Sequence, residues 1–295
     1  GFKANQIRSV PAAALPRSLR WLILTDNQIR ELPTEIGQCQ QLQKLMLAGN
    51  QLQTLPTQLA ACSRLELLRV SANQLSQLPE CIFALPRLAW LAFAGNPLTA
   101  GIEAGRAAAA SVPDIPWHQL QLGRQLGEGA SGVISQALWQ DAGQQRDVAL
   151  KLFKGDVTSD GLPASEMLAC IAAGAHPQLI SVLCRLVNHP AAVPGLVLTL
   201  IDPEFRVLAG PPSLESCTRD IYAEHTRFSL QSVLRMAHSV AAVARHLHHR
   251  GIMHGDLYGH NILYKPDGAL LLGDFGAASF LPSRDRKSTR LNSSH

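Results

Sequence analysis

The sequence predicts an α/β solenoid of short stacked strands followed by an α+β domain. Two observations carry that reading. Asn27, Asn50, Asn73 and Asn96 stand 23 residues apart, with Asn5 one spacing of 22 before them, and a fixed period of this size signals stacked structural repeats. The period stops near residue 98, where an alanine-rich stretch with Pro113 and Pro116 gives way to strand-like runs punctuated by glycine. A chain of 295 residues fits two domains, and 46% hydrophobic residues suffice for packed cores.

The residues around each asparagine repeat as well. Leu42, Leu45, Leu47, Asn50, Leu52 and Leu55 are followed by Leu65, Leu68, Val70, Asn73, Leu75 and Leu78. Alternation along a short strand turns its leucines inward, the asparagine side chain satisfies backbone groups where the chain turns, and the proline is expected to end the turn. This LxxLxLxxNxLxxLP pattern resembles the leucine-rich repeat over residues 1–98. The resemblance implies a curved solenoid with one strand per unit on its concave side. Positions between the inward leucines then form two columns on that side, Trp21, Lys44, Leu67 and Trp90 beside Ile23, Met46, Arg69 and Ala92. The large apolar members Trp21, Ile23, Met46, Leu67 and Trp90 are the expected contact residues for a protein partner or protein substrate. The chain's own second domain is one candidate.

Residues 99–119 read as a linker. Beyond them Gly127, Gly129, Gly132 and Val133 form GxGxxGV. A dinucleotide-binding fold uses the same glycines between a strand and a helix, but here a strand-like run follows at 133–139, which favours a strand-turn-strand flap with backbone amides over phosphates. Strands are expected near 120–126, 133–139, 147–153 and 195–201. Ala149 and Lys151 lie in Val-Ala-Leu-Lys, Lys151 being 18 residues beyond Val133. Glu166, the one acidic residue in helix-like sequence between Lys151 and His176, is its expected ion-pair partner. The apolar residues Leu230, Val233, Leu234, Met236, Ala237 and Val240 read as the buried face of a helix over Leu230–His249. His248 and His249 suit the end of that helix, where positive charge is favoured.

After that helix come HGDLYGHNILY and LLLGDFGAAS. Together with the flap, Lys151 and Glu166, they resemble the protein kinase fold over residues 120–284: a small lobe and the start of the large one. The resemblance implies an ATP-dependent phosphotransferase acting on protein hydroxyls. Asp256 would be the catalytic carboxylate, with Lys151 and Glu166 as the phosphate-binding pair. Gly127, Gly129, Gly132, Val133 and Ala149 would join Lys151 around ATP, and Asn261 and Asp274 would ligate Mg2+ through hard oxygens. Gly276 is expected to permit the sharp turn, His254 to be structural, and Leu198 to lie near the adenine pocket, with the hinge in residues 199–202. Two departures stand out. Gly255 replaces the arginine common before the aspartate, which implies independence from an activation-loop phosphate. Tyr258 replaces the lysine usual in serine/threonine kinases. HGDLYGHN also resembles aminoglycoside-type phosphotransferases, and a pseudokinase scaffold joined to repeats is a further alternative.

The net charge of +4 is spread without a basic run, so nucleic acid is not an expected partner. Six cysteines without a CxxC pair fit reduced thiols and a cytoplasmic protein. No apolar run is long enough to span a membrane. Gly1 lies inside a repeat, so a true N-terminus upstream is expected. Residues 285–295, DRKSTRLNSSH, match the translation of a sequencing-adapter string and are expected to be an artefact. Residues 1–284 by themselves are expected to be catalytically inactive.

Overall fold

The computed structural model describes residues 1–281 apart from 142 and 214; the expected adapter-derived tail lies outside the described residues. Four three-residue strands, β1 (Trp21–Ile23), β2 (Lys44–Met46), β3 (Leu67–Arg69) and β4 (Trp90–Ala92), form a parallel sheet in strand order. Equivalent repeat positions are in register, Trp21 opposite Lys44, Leu67 and Trp90 in succession. Beneath them Leu45, Leu47, Leu68 and Val70 are fully buried in one core. The asparagines form the expected ladder. The Asn73 side-chain amide donates to the carbonyls of Leu47 (2.9 Å) and Val70 (3.0 Å), while its oxygen accepts from the Leu52 amide at 3.0 Å. Asn27, Asn50 and Asn96 repeat these bonds.

The prolines act differently from expectation. Pro33, Pro56 and Pro79 each open a 3-10 turn, at Thr34–Gln38, Thr57–Ala61 and Glu80–Ile82, where a fixed φ near −65° starts a helical segment. The linker carries structure of its own. Helix α1 (Pro97–Ala109) starts at the last ladder asparagine, whose backbone amide donates to the Thr99 hydroxyl at 3.3 Å. Strand β5 (Asp114–Pro116) then pairs in parallel with β9 (Val182–Val187).

The second domain is built on a six-stranded sheet in the order β5-β9-β10-β8-β7-β6. Strands β6 (Leu120–Gly129), β7 (Gly132–Asp141), β8 (Gln144–Phe153) and β10 (Gly195–Thr199) fall where the sequence pattern places them, and β9 is additional. Helix α2 (Pro163–Ala173) carries Glu166. Strand β11 (Arg206–Val207) joins β13 (Ile262–Tyr264) and β14 (Leu270–Leu272), while β12 (Ile252–Met253) pairs with β15 (Ser279–Phe280). These short sheets flank the loops at 254–261 and 273–278.

Helix α3 (Leu230–His249) corrects one expectation. Its buried side is Met236, Val243 and Leu247, whereas Leu230, Val233 and Leu234 are 74, 43 and 61% exposed. Apolar spacing identifies a helix face but not the neighbour it meets: α2 and β14 pack against the Met236 side, and the described residues leave the N-terminal Leu230 side open.

Replacing Asn73 by alanine strands the Leu52 amide, whereas the Leu47 and Val70 carbonyls each lose one donor and keep another, from Asn50 and Asn96. The amide left unpaired costs about 1–3 kcal/mol. A lowered urea midpoint for Asn73→Ala is the expected result, and an unchanged midpoint would show that the ladder carries no stability.

Candidate active site

Strands β6 and β7 form an antiparallel hairpin closed at Gly129 and Gly132, so the glycine-rich segment is a flap between two strands. Gly132 is required by close packing: a Cβ there would lie 3.1 Å from the Leu152 carbonyl carbon and within contact of its oxygen. Under the flap, Lys151 on β8 points its ammonium at the Glu166 carboxylate on α2. The Glu166 side chain is only 2% exposed, so its charge requires this partner. Burial alone would lower the Lys151 pKa; the adjacent carboxylate outweighs it and holds the ammonium above the ordinary lysine range.

Across the cleft lie the loops around β13 and β14. Gly127, Gly129, Gly132, Lys151, Asn261 and Asp274 line one cavity, together with Asp160 and His260. Asn261 donates its side-chain amide to the Asp256 carbonyl at 3.0 Å, which leaves its oxygen for another partner. Asp274 is exposed, with φ 54°, and accepts the Gly276 amide at 3.0 Å. The left-handed residue of this turn is Asp274, and a Cβ on Gly276 would lie 3.1 Å from the Asp274 carboxylate oxygen, a tight fit that favours glycine there. His254 is buried, bonded through Nε2 to the Gly273 carbonyl at 3.0 Å, with its ring 5.2 Å from Phe275. That is a structural role.

Asp256 sits beside this cavity, with its side chain turned toward the repeat array. Its Oδ2 is 3.1 Å from Arg69 Nη2 and 3.8 Å from His260 Nε2. Its Oδ1 is buried without a hydrogen-bond partner among the described residues. Burial alone would raise the Asp256 pKa, but His260 and Arg69 outweigh it and keep the group ionised below the usual carboxylate range. Val133 and Ala149 do not line the cavity that holds the glycines and Lys151; Ile134, the next residue along β7, lines it in place of Val133, because successive strand residues face opposite sides, and Ala149 is buried in β8, opposite Leu198 of β10.

Several residues of the site went unselected at the level of sequence. Asp220 accepts the Gly259 amide at 2.6 Å and holds His260 Nδ1 at 2.5 Å. It lies 40 residues upstream of His260, at the end of the segment 202–220, and no spacing signal marks it. His260 stands four residues after Asp256 in the quoted loop, so the sequence did carry a hint of its proximity. Arg69 was visible as a column position, though nothing tied it to Asp256.

Burial would lower the His260 pKa, but the carboxylates of Asp256 and Asp220 outweigh it and raise it. Its ionic contribution to stability is thus fully present below the ordinary histidine value of 6.5 and is lost as pH rises through the higher folded value. Imidazole NMR is expected to place the His260 midpoint above 6.5, and Asp220→Asn to lower it. A midpoint insensitive to Asp220→Asn would remove this carboxylate as the cause.

Comparison with known proteins agrees with this geometry. The protein kinase domain family matches residues 120–295, and the leucine-rich repeat family matches 17–75 and 40–98. Fibroblast growth factor receptor 1 of Pleurodeles waltl is 27% identical over 176 residues, 54% of this chain and 21% of that protein. Serine/threonine-protein kinase TNNI3K of Homo sapiens is 36% identical over 109 residues, 36% of this chain and 13% of its own length. Serine/threonine-protein kinase PITSLRE of Drosophila melanogaster is 27% identical over 176 residues, 59% and 17% respectively. The chain thus spans between 13 and 21% of these relatives. With a kinase-domain match across more than half of its residues, behind a repeat array, the chain belongs to the protein kinase family and carries leucine-rich repeats ahead of the kinase domain.

Proposed function

We propose that the protein of which this chain forms part transfers the γ-phosphoryl group of ATP to a serine or threonine hydroxyl of a protein. One observation supports this most. The Lys151–Glu166 pair and the glycine flap face Asn261 and Asp274 across a single cleft, with Asp256 beside it. Two of the relatives above are serine/threonine-protein kinases by name.

In this reading the flap amides and Lys151 hold and orient the ATP phosphates, and Glu166 fixes the lysine. Asp256 accepts the proton of the acceptor hydroxyl as its oxygen bonds to the γ-phosphorus. The bond from that phosphorus to the β–γ bridging oxygen breaks, and ADP leaves with the electron pair. Because no covalent enzyme intermediate forms, the residues act by positioning and electrostatics. The free oxygen of Asn261 and the exposed carboxylate of Asp274 are hard donors of the kind Mg2+ takes alongside phosphate oxygens and water. The cation would neutralise charge developing on the phosphates.

The repeat array is proposed to recognise protein through its concave face; of the expected contact residues Leu67 and Trp90 are already buried, Trp90 against Tyr258 of the second domain, while Trp21, Ile23 and Met46 are only partly covered. No helix among the described residues is long and apolar enough to cross a membrane. The unbridged state of all six cysteines supports a reducing, cytoplasmic location. A scaffold reading draws on one fact, that Arg69 already engages the Asp256 carboxylate.

Phosphoryl transfer to protein by the intact natural protein is the direct test. Asp256→Asn is expected to lower kcat by about 10²–10⁴-fold, the usual contribution of a positioned proton acceptor, while ATP binding persists. ATP binding without transfer in the unmutated protein would favour the scaffold.

A further inference from the structure

The concave face of the array is occupied by the kinase's own catalytic loop. Arg69, from β3, reaches Asp256 with Nη2 at 3.1 Å and Asp160 with Nη1, and is itself only 6% exposed. Trp90, from β4, stands edge-on to Tyr258 with ring centroids 4.2 Å apart, and lies 5.8 Å from the His260 ring. The Phe93 amide donates to the Ser279 hydroxyl at 3.1 Å, and the Thr218 hydroxyl donates to Glu66.

The backbones also meet closely. Gly255 has φ 76°, and a Cβ there would meet the Ala277 carbonyl of the kinase's own neighbouring loop first, its carbon at 3.1 Å, and the Leu91 carbonyl oxygen of the array at 2.7 Å. The glycine that departs from the common kinase arginine thus serves the fold of its own loop and also leaves room for the array.

We propose that the inner face of the repeat array is a docking surface for the kinase's own catalytic loop, with Arg69 capping Asp256 against the acceptor hydroxyl. This rests on the kinase reading above. An acceptor hydroxyl must come within about 2.6–3.2 Å of the carboxylate, yet one oxygen already bonds the guanidinium and the other is buried. The phosphate side differs, because Gly127, Gly129, Lys151, Asn261 and Asp274 still face a cavity. Docking therefore blocks the acceptor while leaving room for nucleotide, and activity requires the array to lift from the loop.

The test compares the intact natural protein with its Arg69→Ala and Trp90→Ala variants by hydrogen exchange and by phosphoryl transfer. Amides at 253–259 and 277–280 are expected to exchange faster in both variants, while the array amides of β1–β4 keep their protection and show that it still folds. Transfer is expected to rise about 5- to 150-fold, the usual range of intramolecular coupling, with the KM for ATP unchanged. Unaltered exchange and transfer in both variants would overturn the docking. Faster exchange at the catalytic loop without a rise in a measurable basal transfer would overturn the inhibition. No transfer from any of the proteins would sink the kinase reading and the inhibition with it, an outcome told apart from failed docking by the exchange change that persists.

Discussion

An ionised carboxylate cannot be withdrawn from water without a countercharge, and around Asp256 that constraint gathers segments far apart in the chain. With its residue 7% exposed, Asp256 is flanked by Arg69 from the array and by His260 from its own loop. His260 in turn is held by Asp220, which also accepts the Gly259 amide. Arg69 is shared with Asp160, in the stretch between β8 and α2. Removing one member leaves another buried and unpaired, so the cluster orders the catalytic loop as a unit. Lys151 and Glu166 obey the same requirement on the opposite wall of the cleft.

The array can meet so specific a group because its inner face is rigid. Each strand is three residues long and gains little from its own backbone pairing. Its position is set by leucines buried on one side and by asparagines that bond the carbonyls of two successive repeats. Side chains at equivalent positions then stand about 4.8 Å apart, the spacing of adjacent strands. A cation on such a surface is held at a defined place, as a cation on a mobile loop is not. In the proposed function two chemically different tasks share the cleft region: phosphate binding by backbone amides and a lysine, and proton acceptance by a carboxylate. They lie on different sides of it, so one can be covered while the other remains open.

Local chemistry was legible where its signal was local. The asparagine period marked the ladder because every repeat has the same unsatisfied carbonyls. The glycines between two strand-like runs marked the flap, and the Lys151–Glu166 pairing followed from the scarcity of acids in a helix-like stretch. The direction of α3 was less legible. Of the apolar pattern, Leu230, Val233, Leu234 and Ala237 are exposed, and only Met236 and Val240 meet the core. The prolines were misplaced because the pattern shows that a turn occurs, whereas φ decides that Pro33, Pro56 and Pro79 begin the next segment.

By itself, the sequence determined the repeat period, the inward leucines, the flap and the order of Lys151, Glu166, Asp256, Asn261 and Asp274, because each follows from spacing within one element or from short motifs. Only the tertiary structure decided which charges neutralise one another. Arg69 and Asp256 are 187 residues apart, and Asp220 and His260 are 40 apart. No periodicity encodes such pairs, because a buried charge is satisfied by whichever opposite charge the packing brings within a few ångströms.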